Sequence, residues 1–136
     1  MEKYKFLKHT ADVKFQSFGK TIEEAFENAA YALAETMTKG VKIKEKIKWN
    51  IDASGKDMNS LLYNFLEEFL FLLDAENWLP SKVLKLKIKN EELEAEVTGD
   101  NAASYKFTND VKAITYNEMF VKERKGVWKC QVVLDV

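Results

Sequence analysis

The chain has 136 residues, 46% of them hydrophobic and 32% charged, with a formal net charge of −1. That length suits a single domain spanning 1–136, large enough to bury about two-thirds of its unfolded surface without disulfides or a structural metal. The charge excludes the basic footprint of a dedicated nucleic-acid binder, and one cysteine beside one histidine excludes an internal disulfide and a Cys/His zinc site. Residues 1–5 lack the apolar core of a signal peptide, and the longest apolar run, 69–73, is far short of a membrane span. The expectation is a soluble, cytoplasmic protein with no membrane partner.

Residues 4–7 read as a short strand. Val13, Phe15 and Ser17 alternate with Lys14, Gln16 and Phe18, the period-two pattern of a half-buried second strand. After a Gly19-Lys20 turn, Thr21 and Glu24 form a capping box. The helix they open buries Ile22, Ala25, Phe26, Ala29, Ala30, Leu33 and Met37 on one face, and Gly40 is placed to end it. Val41, Ile43, Ile47, Trp49, Ile51 and Ala53 alternate with Lys42, Lys44, Lys46, Lys48, Asn50 and Asp52. This predicts a strand over 41–53 with one largely lysine face, either a solvated guarded edge or a local contact for RNA.

Ser54-Gly55-Lys56 turns the chain, and Asp57 is the N-cap candidate of a second helix from Met58 to about Leu73. That helix is apolar around more than one side, so it is expected to be deeply buried or packed on two layers, as the main core helix. Asp74 to Asn77 leaves it, and Pro80, the only proline, marks a boundary. Leu84, Leu86 and Ile88, then Leu93, Ala95 and Val97, flank Asn90-Glu91-Glu92 as a hairpin. Gly99-Asp100 opens a polar loop through Asn109, the longest irregular segment and the expected mobile one. Residues 111–116 and 119–123 are extended, and Lys125-Gly126 turns into a last strand over 127–136. Cys130, between Trp128 and Val132, is expected as a small core residue. The sum is a layered α+β fold, two main helices packed on a largely antiparallel set of about seven to nine strands.

No phosphate-cradling glycine loop, Walker pattern, nucleophile elbow or Ser-His-Asp arrangement is present. The best candidate pair is Asp12 and Asp135, each at the margin of an alternating strand near one end of the chain. If those ends meet, the two carboxylates repel unless a cation or a donor lies between them. A hard divalent ion answers this with oxygen ligands, and the Val136 carboxylate stands one residue away. The alternative is two surface charges, or an Asp12 that caps a turn. His9, the only histidine, reads as a hydrogen-bonded structural residue before a ligand, and Asp74 as a helix-exit or turn residue. A metal-dependent phosphoesterase is a weaker reading, since no dense second carboxylate cluster accompanies the pair.

Taken together, several stretches resemble the archease family: His9-Thr10-Ala11-Asp12-Val13; Gly19 with Thr21-Ile22-Glu23-Glu24-Ala25-Phe26 and Asn28-Ala29-Ala30; Ser60-Leu61-Leu62-Tyr63 with Leu73-Asp74; Gly99-Asp100; Val111-Lys112-Ala113 with Thr115-Tyr116; and Trp128 leading into Val132-Val133-Leu134-Asp135-Val136. The resemblance implies a layered α+β fold and an accessory role, not catalysis. Archeases assist RtcB-type RNA ligases that join tRNA halves after intron removal. They promote guanylylation of the ligase's active-site histidine, with GTP and divalent metal at the ligase, and so allow multiple turnover. Members have also been linked to chaperoning a tRNA cytosine methyltransferase. The family's metal site carries over to Asp12, Asp135 and Val136. The cation expected there is calcium foremost, with magnesium or manganese as alternatives. His9, Asp74 and Lys112 fall within or beside the matched stretches and are expected as supporting or partner-contact residues. The chain departs from the family at Ala103-Ser104-Tyr105 and Tyr116-Asn117-Glu118, where members often carry histidines, so no role of those histidines is carried over.

Overall fold

The computed structural model describes residues 1–136. Its elements in chain order are β1 (Tyr4–Leu7), β2 (Val13–Gly19), α1 (Ile22–Met37), β3 (Ile47–Ser54), α2 (Met58–Glu76), β4 (Trp78–Lys89), β5 (Glu92–Asn101), a 3-10 turn at Ala102–Ser104, β6 (Ala113–Arg124) and β7 (Val127–Asp135). The seven strands form two antiparallel sheets, ordered β1-β2-β7-β6 and β3-β5-β4. The helices touch both: α1 packs on β2 and β7 of one sheet and on β4 of the other, and α2 packs on β6 of the first sheet and on β3 and β4 of the second. The α+β reading holds, and the broad apolar surface of α2 has this physical cause. Phe26 stacks on Phe65 at 6.2 Å, Phe65 meets Phe69 edge-on, and Phe69 stacks on Trp78, so an aromatic chain runs through one core. No helix is long and apolar enough to cross a membrane.

Local chemistry sets the helix ends. The Thr21 hydroxyl accepts from the Glu24 N–H at 3.1 Å, while the Glu24 carboxylate reaches past Thr21 to the Lys20 N–H. Asp57 and Ser60 form a reciprocal capping box, which holds the Asp57 carboxyl below its usual range. The second helix runs three residues beyond Leu73 to Glu76, and Asn77 in the left-handed region (φ 52°) ends it. At the far end of α1, the Thr108 N–H donates to the Met37 carbonyl and the Asn109 amide to that of Thr36.

Four sequence expectations are corrected. The third strand begins at Ile47, not Val41, because the Lys44 N–H is taken by the Tyr105 hydroxyl and the Ile43 carbonyl by Ser81. Of the four lysines, only Lys48 therefore stands on a sheet face. Pro80 is no boundary. It lies inside β4, opposite Gly99 and beside a register shift, where the missing N–H is tolerated. Gly99 and Asp100 belong to β5 and open no mobile loop. Asp100 is buried, accepting from the Asn101 N–H and, at 2.7 Å, from the Tyr105 hydroxyl. The two extended stretches near the end are one strand, β6, in which residues 116–119 bulge out.

The outer face of β3-β5-β4 is laddered in charge. Lys85, Lys87 and Lys89 stand opposite Glu96, Glu94 and Glu92, and Lys48 pairs with Glu96 at 3.1 Å. Its lysines are matched by glutamates within the sheet, which argues against a phosphate-binding surface there.

Candidate functional site

Strand β2 pairs with β7 antiparallel, and Val13 stands opposite Leu134. One residue beyond that pair, Asp12 and Asp135 lie at the same end of neighbouring strands, so the two ends of the chain do meet. Asp135 also stands opposite Ala113 on β6, and its carbonyl accepts from the Lys112 N–H at 2.8 Å. Asp12, Lys112, Asp135 and Val136 thus come from three segments to one corner. Asp12 is half-buried; Lys112 and Asp135 are exposed. Asp74 is not among them. It stays exposed on the last turn of α2 and makes no hydrogen bond or ion pair.

Beside Asp12 an open groove of about 430 Å³ runs between β1 and the end of α1. Its floor is Tyr4, Phe6, Leu7 and Val13, and Thr36 and Asn109 close it at the helix C-terminus. Asp12 and Glu35 line it together with Lys14 and Lys39, so carboxylates and ammonium groups of both signs border the groove.

The β1–β2 turn is held from across the sheet. Four residues, 116–119, fill a stretch of β6 that faces only Val132 on β7, and Glu118 sits there at φ 55°. The Gln131 amide donates to the Glu118 carbonyl at 2.7 Å and fixes the bulge. From this perch the Glu118 carboxylate takes the Lys14 ammonium at 2.9 Å and His9 Nε2 at 3.0 Å. Those two partners, Lys14 first, hold the Glu118 carboxyl below its usual range. The other ring nitrogen of His9, Nδ1, is 3.9 Å from Asp12 Oδ2. It is the only buried side-chain nitrogen or oxygen without a hydrogen-bond partner.

Sequence reasoning missed Glu118 and Lys14. One signal was present: the buried parity along β6 changes from even, at Ile114, to odd, at Met119, which marks an inserted bulge.

In this geometry no three His, Cys, Asp or Glu side chains converge on one point. The strand register does set two carboxylates and Val136 at one corner, the oxygen donors that a hard divalent cation takes. Cys130 offers no second chemistry. It is fully buried, and burial pushes its thiol up to about 12.

The model of the Archease protein family matches residues 4–136. The chain is 34% identical to the Methanosarcina mazei protein archease, covering 99% of this chain and 97% of that one. It is 36% identical to that of Pyrococcus furiosus over the full length of both. The solution structure of Methanobacterium thermoautotrophicum protein 1598 superposes with a TM-score of 0.85 at 33% identity, covering all of both chains. The crystal structure of a Thermotoga maritima protein, called an archease and possible chaperone, has the same fold, with a TM-score of 0.69 at 21% identity over 96% of this chain and 94% of that one.

Proposed function

The chain belongs to the archease family, and from that premise we propose that it is a non-catalytic activator of an RtcB-type tRNA-splicing RNA ligase, promoting guanylylation of the ligase's active-site histidine and hence multiple turnover. The observation that carries the reading is the strand register that brings Asp12 to Asp135, the two positions the family resemblance marks as metal ligands. Asp12, Asp135 and Val136 would hold the cation, calcium or, alternatively, magnesium or manganese. The bound ion would neutralise the carboxylates and fix the β1–β2 turn against the end of β7. The protein then acts by binding: it favours the guanylylation-competent state of the ligase to the extent that it binds that state more tightly. A tenfold shift needs a difference of about 1.4 kcal/mol, within reach of a few contacts along the groove beside Asp12.

The test is guanylylation of the cognate ligase under single- and multiple-turnover conditions. The expected result is stimulation that vanishes with Asp12→Asn or Asp135→Asn. A doubly substituted protein that stimulates as well as the unsubstituted one refutes the mechanism.

A second reading, chaperoning of a tRNA cytosine methyltransferase, is the other role the family resemblance implies, and Phe6, 44% exposed on the groove floor, offers it an apolar contact. Suppression of that enzyme's aggregation that is unaffected by chelator selects it.

A further inference from the structure

We propose that the outer face of the β1-β2-β7-β6 sheet is a contact surface for single-stranded RNA, whose phosphates are taken by Lys5, Lys122, Arg124 and Lys129. The choice of RNA rests on the ligase reading, while the anion-binding character of the face stands on the side chains themselves.

Strand register decides which residues share this face. Phe18 stands opposite Lys129, and Lys129 opposite Lys122. In the next row Lys5, Gln16, Gln131 and Phe120 follow one another across the four strands. Arg124 extends the β6 side beyond Lys122. Phe15, Cys130, Val132 and Leu134 point the other way, into the core beneath the helices. Phe18 and Val133 are buried yet lie outside that core cluster, as residues of the opposite face should.

Two features point to an anion. Like charges directly opposite on neighbouring strands destabilise a sheet, and Lys122 and Lys129 are such a pair. No counter-charge relieves them, since none of the four cations makes an ion pair. The carboxylate nearest the middle of the face, Glu118, is engaged by Lys14 and His9, and Asp12 and Asp135 stand at its far end. On sheet β3-β5-β4, by contrast, Lys85, Lys87 and Lys89 each face a glutamate. The near-neutral total charge therefore conceals one face of a single sign. The second feature is that rings, not carboxylates, hold the ammonium groups. Lys5 and Lys129 lie 5.8 and 5.7 Å from the centroid of the Phe18 ring, and Lys122 lies 4.6 Å from that of Phe120. A ring positions a cation and leaves its charge free for a ligand.

The composition favours a nucleic-acid strand over an acidic protein. Lysine is depleted at protein interfaces. Cations interleaved with an aromatic on an open sheet hold single strands, the cations on the phosphates and the ring under a base. Phe120, half-buried, is the ring that a base can reach, whereas Phe18 is buried. A membrane surface would need apolar side chains standing clear of the lysines, and Phe18 and Val133 do not.

The test is fluorescence anisotropy of a labelled RNA of about 12 nucleotides, titrated with the full chain alone across a salt series. Four phosphate contacts predict a slope of about −3 in log affinity against log salt, a loss of about 50-fold between about 50 and 200 mM. Joint replacement Lys5→Gln, Lys122→Gln and Lys129→Gln should bring the slope to about −1. Joint replacement Lys48→Gln, Lys85→Gln and Lys87→Gln makes the same change in total charge on the other sheet and should leave the slope at about −3. Phe120→Leu should weaken binding by about 5-fold or more with the slope unchanged. Lys122→Gln relieves the repulsion and should melt no lower than the unsubstituted protein; a lower melting temperature would show that the lysine serves the sheet and not a ligand. No RNA binding at low salt, a slope that falls equally in both triple variants, or tighter binding to polyglutamate or to phosphatidylserine vesicles than to RNA would overturn the proposal. RNA binding without ligase stimulation would overturn the proposed function and leave this inference standing, and stimulation without RNA binding would do the reverse.

Discussion

Substituting Gly99 by alanine tests how the Gly99-Asp100 stretch is built. A Cβ at Gly99 would collide with the Leu79 carbonyl oxygen and come within 2.6 Å of the Trp78 indole. Neither neighbour is free to yield. Leu79 is in the β4–β5 ladder, and Trp78, 1% exposed, donates from Nε1 to the Ile47 carbonyl at 3.0 Å. Overpacking of this kind costs about 1–3 kcal/mol, and displacing the indole also loses a hydrogen bond worth about 1 kcal/mol. We expect a loss of about 3 kcal/mol. With an unfolding entropy of about 2.1 cal/mol/K per residue, the melting temperature of a chain this long should fall by about 10 °C. Gly126→Ala is the control. Gly126 has φ 77°, and a Cβ there would meet nothing within 4 Å, so only the left-handed backbone is penalised, by about 1 kcal/mol, or about 3–4 °C. Scanning calorimetry of both variants decides the matter. If Gly99→Ala melts no lower than Gly126→Ala, the close approach of β4 to β5 is not what requires glycine at position 99.

Two further outcomes follow from the titrating groups. The Tyr105 hydroxyl, and then the Asn101 N–H, hold the Asp100 carboxyl below its usual range. Its contribution to stability is therefore present above the unfolded value of about 3.9 and is lost as pH falls through the lower folded value. Tyr105→Phe should thus melt below the unsubstituted protein at neutral pH, with the gap narrowing below about pH 4; a gap constant across an acid titration would refute the assignment. With the Cys130 thiol pushed up to about 12 by burial, the folded protein should not react with a thiol reagent at mildly alkaline pH and should react at once in denaturant. Rapid labelling of the native state would show that β7 opens.

The elements legible in the sequence are those fixed by short-range pattern. The alternation of β2, the single face of α1, the Asp57 cap and the hairpin between β4 and β5 are set within a few residues. What was not legible depends on partners far along the chain. The hydroxyl of Tyr105 binds Lys44, 61 residues away, and so delays the start of β3. The same hydroxyl secures Asp100 and turns an expected mobile loop into a pinned one. The pair Asp12 and Asp135 could be read because each marks the end of an alternating strand. Glu118 could not, because its target, His9, is 109 residues away and the bulge that aims it carries no local motif beyond a change of parity.

The strand order also sets when the corner can exist. Sheet β3-β5-β4 is drawn entirely from residues 47–101, whereas β7, the last strand of the fold, sits between β2 and β6. Until β7 has been synthesised and released, β2 has no partner on that side, and Asp12 has no Asp135. During synthesis the β3-β5-β4 sheet can pair early against one side of α2, while the β1–β2 hairpin waits for the final strand across the longest loop closure in the chain. The meeting of Asp12 and Asp135 is accordingly among the last events of folding, and any cation binding that needs both would report that β2 and β7 have paired.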